Sequence, residues 1–405
     1  MSYVTNSLKY NFKYFLLAFS LLSEAIVPIP FRNYFYYIGI IYIFSYSLKN
    51  SDGYNKFGMY YVLFLTACFI SSCFALILNY RLFAFIALII SCTPITHSFN
   101  IYLFRKKYLY YSLITFPILA IASAICYFTG INYYTPNHGI NINILDFSAF
   151  FPHPLWLGAA LGLSNIVLVW LIFTTRNKTY KITFSIILLL SLYISIVAAS
   201  RSAFFSSAIT MIILLLIKLH NIKKIIITGS VLTIVTIILL PIYLTGATRM
   251  QDKFTNSRGK YGSRTELVVS GLSNFQQNPL LGQGFAISYN AKGEKIVGRM
   301  ESGSGWLSIL SQTGIIGFTI ICILLVKVRK IFPYIFNDDK LLLYFCSFLY
   351  LCLHSGFEGY LLTIGYYPCI LFWMLLGFLH IYPYYKHIEN EYISWKLNNI
   401  KYYLS

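Results

Sequence analysis

Apolar residues in this chain arrive in runs long enough to cross a lipid bilayer, one after another from residue 13 to residue 383. A spanning helix keeps about 20 mostly apolar residues in hydrocarbon, because its backbone groups must all be satisfied within the segment. Twelve segments read this way: 13–30, 34–48, 59–79, 82–103, 109–129, 155–174, 181–198, 203–219, 224–246, 305–326, 341–365 and 366–383. The second is short, and the fourth carries a polar middle at Ser91, Cys92, Thr93, Pro94 and His97 that marks it for a break. Composition agrees, with 58% hydrophobic and 11% charged residues where soluble domains carry about 25% charged. A core of this size buries only about 75% of the chain's surface, so an aqueous fold cannot hide the excess. A soluble enzyme, a DNA-binding protein and a disordered chain are excluded. The expected fold is all-α, a polytopic integral membrane protein of about twelve transmembrane helices, forming a single transmembrane domain over 1–405.

The formal net charge is +19, from 31 Lys and Arg against 12 Asp and Glu. In a soluble protein that excess would suggest nucleic acid. Here the cations sit between apolar runs, the pattern that sets membrane orientation. With the N-terminus inside, 20 of the 31 fall on the cytoplasmic side. Both termini are then cytoplasmic, and 384–405 reads as a cytoplasmic tail. The eight cysteines lie in apolar runs without a CxxC pair, as buried small hydrophobes do. The first run lacks a small-residue cleavage site, so no cleavable signal peptide is expected.

Two outer loops are long. Residues 130–154 hold Asn137, His138, Asp146 and His153. Residues 247–304 form the one large hydrophilic loop, with eight cations against four carboxylates. A basic outer loop runs against the orientation bias and suggests that an anion is handled there. Within it, Ser263-Arg264-Thr265-Glu266 before an apolar run is a capping box. It predicts a short amphipathic helix ended by Asn278-Pro279. Arg264 falls in its first turn, where the helix dipole disfavours a cation but free N–H groups favour a phosphate. It reads equally as an exposed surface arginine. Arg201, after Ala198-Ala199-Ser200, stands at the outer end of the seventh segment. It reads either as a snorkelling boundary arginine or as an anion ligand. His354-Ser355-Gly356-Phe357-Glu358-Gly359-Tyr360 closes the outer end of the eleventh. Ionisable groups at such depth face a partner or a cavity, so packing and catalysis are both open. Glu24 lies near Pro28 and Pro30 and carries no assigned role. Tyr289, Trp306 and Tyr360 are outer aromatics that suit either interface anchoring or a sugar groove. The sequence holds no Ser-His-Asp spacing, no HExxH and no paired metal carboxylates, so neither a metal nor a cofactor is expected.

The run from Ser263 to Gly284, with Glu301-Ser302-Gly303-Ser304-Gly305 and the Gly314-Ile315-Ile316-Gly317 step, resembles the C-terminal signature of bacterial O-antigen ligases and O-antigen (Wzy-type) polymerases. Arg264, the Asn278-Pro279-Leu280-Leu281-Gly282 turn and Arg201 match that pattern. One departure stands out. Ligases of this family resemble one another in a histidine that activates the acceptor hydroxyl. The corresponding positions here hold Gly303 and Ser304. The His354–Gly365 stretch is similar to one found in O-unit polymerases.

The resemblance implies a GT-C-like membrane glycosyltransferase in the inner membrane, working without metal on its periplasmic face. Its substrates would be undecaprenyl-diphosphate-linked oligosaccharides, joined with release of undecaprenyl diphosphate. The implied partners are that lipid-linked oligosaccharide, membrane lipid and a chain-length regulator protein, with no nucleic acid. Arg201 and Arg264 become the diphosphate clamps, with Arg258 and Arg299 as weaker candidates, because guanidinium binds phosphate bidentately. Glu301, His354 and Glu358 are the candidate bases. A polymerase is the preferred reading. A ligase acting on lipid A core and a non-enzymatic flippase are the alternatives. Against the flippase stands the lack of a repeat between the two halves.

Overall fold

The computed structural model describes residues 2–53, 56–133, 147–219, 263–289, 295–297 and 303–404. Helices dominate: α1 (Ser2–Leu22), α2 (Arg32–Lys49), α3 (Met59–Phe74), α4 (Tyr80–Cys92), α5 (Phe99–Thr129), α6 (Pro154–Thr174), α7 (Lys178–Val197) and α8 (Arg201–Leu219) come first. α9 (Ser263–Gln277), the hairpin strands β1 (Ile287–Tyr289) and β2 (Lys295–Val297), α10 (Gly305–Lys327), α11 (Asp339–His354) and α12 (Tyr367–Leu404) follow. β1 and β2 pair antiparallel, with Ser288 opposite Ile296. Among the described residues six helical stretches are long and apolar enough to cross a membrane, and α3 and α4 are apolar but shorter. This is the architecture of a polytopic membrane protein. It accounts for part of the twelve expected segments, and 224–246 lies outside the described residues.

Local chemistry sets the helix starts. Side chains of Asn79, Ser98, His153, Asn177 and Asp338 each accept a hydrogen bond from a backbone N–H in the first turn that follows, satisfying donors that no preceding turn can. Pro154 follows His153, where its missing N–H is harmless. The fourth expected segment is indeed interrupted. α4 stops at Cys92, Thr93 is extended, and the chain restarts at Ser98. The restart carries straight on to Thr129, so residues 99–103 belong to the same helix as 109–129. Arg105, expected in a cytoplasmic loop, is therefore inside a helix and fully buried, donating to Ser91 O at 2.7 Å and Thr96 Oγ1 at 3.0 Å. The eleventh segment is also shorter than expected: α11 ends at His354, and 355–366 form turns. The tail, by contrast, continues α12 through Pro383 to Leu404.

α6 is buried nearly all round from Pro154 to Trp170 and packs against α5, α7, α8 and α11. Gly158 and Gly162, one turn apart, make this possible: a Cβ on Gly158 would overlap Ser200, and one on Gly162 would overlap the Tyr350 ring. Small residues spaced this way let membrane helices approach closely. At the bundle end that gathers cations expected to be cytoplasmic, Lys106 pairs with Glu389 at 2.6 Å, Lys386 with Asp338 at 3.2 Å, and Lys218 with Asp339. Arg201 and Glu358 lie at the opposite end of the same helices.

Candidate functional site

α7 and α8 are joined by a turn so tight that Ala199 takes a left-handed conformation, φ 51°. Backbone strain of this kind persists only where surrounding contacts enforce it. Here the enforcing contact is the α6 glycine face, which seats buried Ser200. The turn delivers Arg201, half-buried, as the first residue of α8. Ser202 follows, and its Oγ donates to Glu358 Oε1 at 3.4 Å.

Glu358 is 5% exposed in the turn after α11. That turn is built by its neighbours. Ser355 caps α11, and its carbonyl accepts from the Gly305 N–H at 2.7 Å and from Ser304 Oγ at 3.4 Å. Trp306 Nε1 donates to Cys352 O at 3.1 Å, and the Tyr360 hydroxyl to Leu351 O at 2.7 Å. Trp306 and Tyr360 thus fix the turn. His354 is fully buried, its ring 5.4 Å from Tyr350 in parallel stacking and 5.5 Å from Tyr360. The structure therefore brings Arg201, His354 and Glu358 together at one end of α8 and α11, with Ser304 against the same turn. Ser202 was not singled out from the sequence. Its one signal was position, next to an arginine on the disfavoured side. The Gly158-x-x-x-Gly162 spacing that seats the turn was also readable as a close-packing motif and was not used.

Arg264 lies in the first turn of α9, the helix expected from the capping box, and α9 stops at Gln277, directly before Asn278-Pro279. Arg258, Arg299 and Glu301 lie outside the described residues, as do Asn137, His138 and Asp146 in the other long outer loop.

The signature turn has a structural task. α10 breaks at Gly314, φ 64°, ψ −169°, and residues 279–284 enter the break. Ile315 N–H donates to Pro279 O at 2.9 Å, Gln283 N–H to Ser311 O at 2.9 Å, and Gly284 N–H to Gln312 O at 3.2 Å. Gln312 Oε1 accepts from the Ala286 N–H at 2.9 Å, while Ser71 and Ser72 of α3 bind Gln312 O at 2.6 Å and the Phe285 N–H at 3.1 Å. Irregular backbone at membrane depth survives only when protein groups satisfy it. A Cβ on Gly282 or Gly314 would overlap the opposite strand of this clasp. Gln283 Nε2 then donates to Asn274 O at 2.8 Å, tying the clasp to α9, which packs on α10.

A turn-borne arginine, a clasped helix break and the helix α9 between them together occupy one continuous stretch. Residues 185–322 match the family model of O-antigen ligase. That stretch is about a third of the chain, and it is similar to the O-antigen ligase family there. The match runs from within α7 to within α10, and so takes in Arg201, Arg264 and the clasp. No curated protein matches the chain.

Proposed function

We propose that the protein is a surface-polysaccharide polymerase that joins undecaprenyl-diphosphate-linked oligosaccharide repeat units on the periplasmic face of the inner membrane. The carrying observation is a chain of contacts. Ser304, next to Gly303 where the ligase pattern has its histidine, donates to Ser355 O; Glu358 stands three residues on; and Glu358 accepts from Ser202, the neighbour of Arg201. In this reading Glu358 supplies the base in place of the missing histidine, and Arg201, the residue before its hydrogen-bond partner Ser202, supplies the anion ligand.

In this reading Glu358 takes the proton of the attacking sugar hydroxyl. The hydroxyl oxygen bonds to the anomeric carbon of the lipid-linked donor, and the bond from that carbon to the diphosphate oxygen breaks. Undecaprenyl diphosphate leaves with the electron pair. Arg201 and Arg264 bind that diphosphate, and Arg258 and Arg299 add positive charge from the loop. Fixed cations where charge develops stabilise the transition state most. Diphosphate is a good leaving group, so arginines suffice without a metal. His354 holds the turn from below through its stack with Tyr350 and Tyr360. Glu301 remains the second candidate base, and a chain-length regulator protein the expected partner.

The test is conversion of lipid-linked repeat units to polymer by purified protein. Arg201→Ala and Glu358→Gln should each lower the rate about 100-fold or more, the usual weight of a positioned anion ligand or general base. Near-normal rates in both folded variants would overturn the assignment. The family model's own description favours a second reading, ligation of finished polymer to a lipid A core. Supplying lipid A core as acceptor separates the two: a ligase consumes it, and a polymerase does not.

A further inference from the structure

Between the end of α3 and the clasp lies a cavity of about 480 Å³, lined by Phe74, Ala75 and residues 278–283. Nothing in the reaction described above uses it. Its size falls in the range of small-molecule sites. No lining residue is charged. The polar groups are the amide of Asn278, able to donate and accept, and that of Gln283, whose two N–H groups are taken by Asn274 O and Gln277 Oε1 and whose Oε1 keeps one acceptor site. Gln283 is held by Asn274 O at 2.8 Å, Gln277 Oε1 at 3.1 Å and Asn278 Nδ2 at 3.2 Å, so these amides are pre-positioned. On the other wall stands Phe74, 72% exposed.

An aromatic face opposite neutral amides selects its ligand. A phosphate would need a cation here, and a metal ion would need anionic ligands. A bare hydrocarbon chain would strip water from the amides without replacing its hydrogen bonds. A pyranose ring satisfies both walls, laying its C–H face on Phe74 and its hydroxyls on the amides. The position also fits. Gly305 is bonded to the Glu358 turn, and Gly314 lies nine residues further along α10, about 13 Å at 1.5 Å per residue. A sugar in the cavity is thus within oligosaccharide reach of the reacting end.

We infer that this cavity is a glycan subsite, holding one ring of the oligosaccharide while its reacting end lies at the Glu358 turn. The inference rests on the polymerase reading. It is tested with free repeat-unit oligosaccharide, released by mild acid from the host's lipid-linked intermediates, binding to full-length protein in nanodiscs. Phe74→Ala with Asn278→Ala should weaken binding about 10-fold, and Arg201→Ala should leave it unchanged, since the probe has no phosphate. In the polymer assay the double variant should raise KM about 10-fold with kcat within 2-fold, and its melting temperature should match that of the parent. Wild-type protein that ignores the free glycan, or a folded double variant that binds it normally, overturns the subsite. If the parent binds glycan through Phe74 and Asn278 yet makes no polymer from lipid-linked units, the subsite stands and the polymerase reading falls.

Discussion

At Gly314 a methyl group has nowhere to go. Its φ is positive, a region costly for any residue with a Cβ, and the Leu280 carbonyl fills the space such an atom needs. Gly314→Ala should therefore lose about 3 kcal/mol or more, adding backbone strain to overpacking, read as a drop in melting temperature in detergent. An unchanged melting temperature would mean that the clasp is not formed as described. The candidate bases separate at the same scale. Glu358→Gln removes a proton acceptor beside Ser202, whereas His354→Phe preserves a flat ring between Tyr350 and Tyr360. The first should cost about 100-fold in rate and the second no more than about 10-fold. The reverse order, with both variants folded, would return the base to His354. Arg201 was conspicuous in the sequence because a cation on the side expected to be outer needs a reason. Its link to Glu358 was not, because the Ser202–Glu358 contact joins residues 156 positions apart and no periodicity reports such a pair.

Elements were legible where one local cause decides them. The capping box before 267–275 marked α9, and Asn278-Pro279 marked its end. The polar Ser91–His97 stretch marked the break between α4 and α5. What hydropathy missed was that Arg105, Lys106 and Lys107 do not end a segment, because helix continuity depends on partners that a window of charge does not show. Asp338 is a case in point. Burial raises its pKa, but the Tyr382 hydroxyl, the Leu341 N–H and Lys386 together hold it below the ordinary value of 3.8. A carboxyl depressed in the folded state stabilises it above its unfolded pKa, and that contribution disappears as pH falls through the folded value. Asp338→Asn keeps the helix cap and loses the charge. It should lower stability by about 0.5–1 kcal/mol at pH 7, with the difference from the parent shrinking as pH falls below 3.8. Thermal unfolding in detergent across that range measures it, and a gap that widens in acid would refute the pairing.

Across the whole molecule, charge and hydropathy foretold a bundle with a cation-rich end, and the Lys106, Lys218 and Lys386 pairs do gather together there. They did not foretell that the opposite end is made of interrupted helices. α11 stops early, α10 breaks at Gly314, and α3 ends at Phe74 against the clasp, so that turns carry many of the polar groups. Hydrogen bonds from distant segments satisfy those turns, and only the folded chain brings such segments together. That design has a consequence in the cell. If the Arg201 and Glu358 end lengthens chains, a strain lacking the protein should still make and export single repeat units, and its lipopolysaccharide gel should show core plus one unit in place of a ladder. Wild-type protein should restore the ladder, and Arg201→Ala or Arg264→Ala should not. A ligase would give bare core while undecaprenyl-linked polymer accumulates. A flippase would give bare core with no polymer on the outer side. The band one unit above core is thus the single outcome that chain elongation predicts and both alternatives forbid.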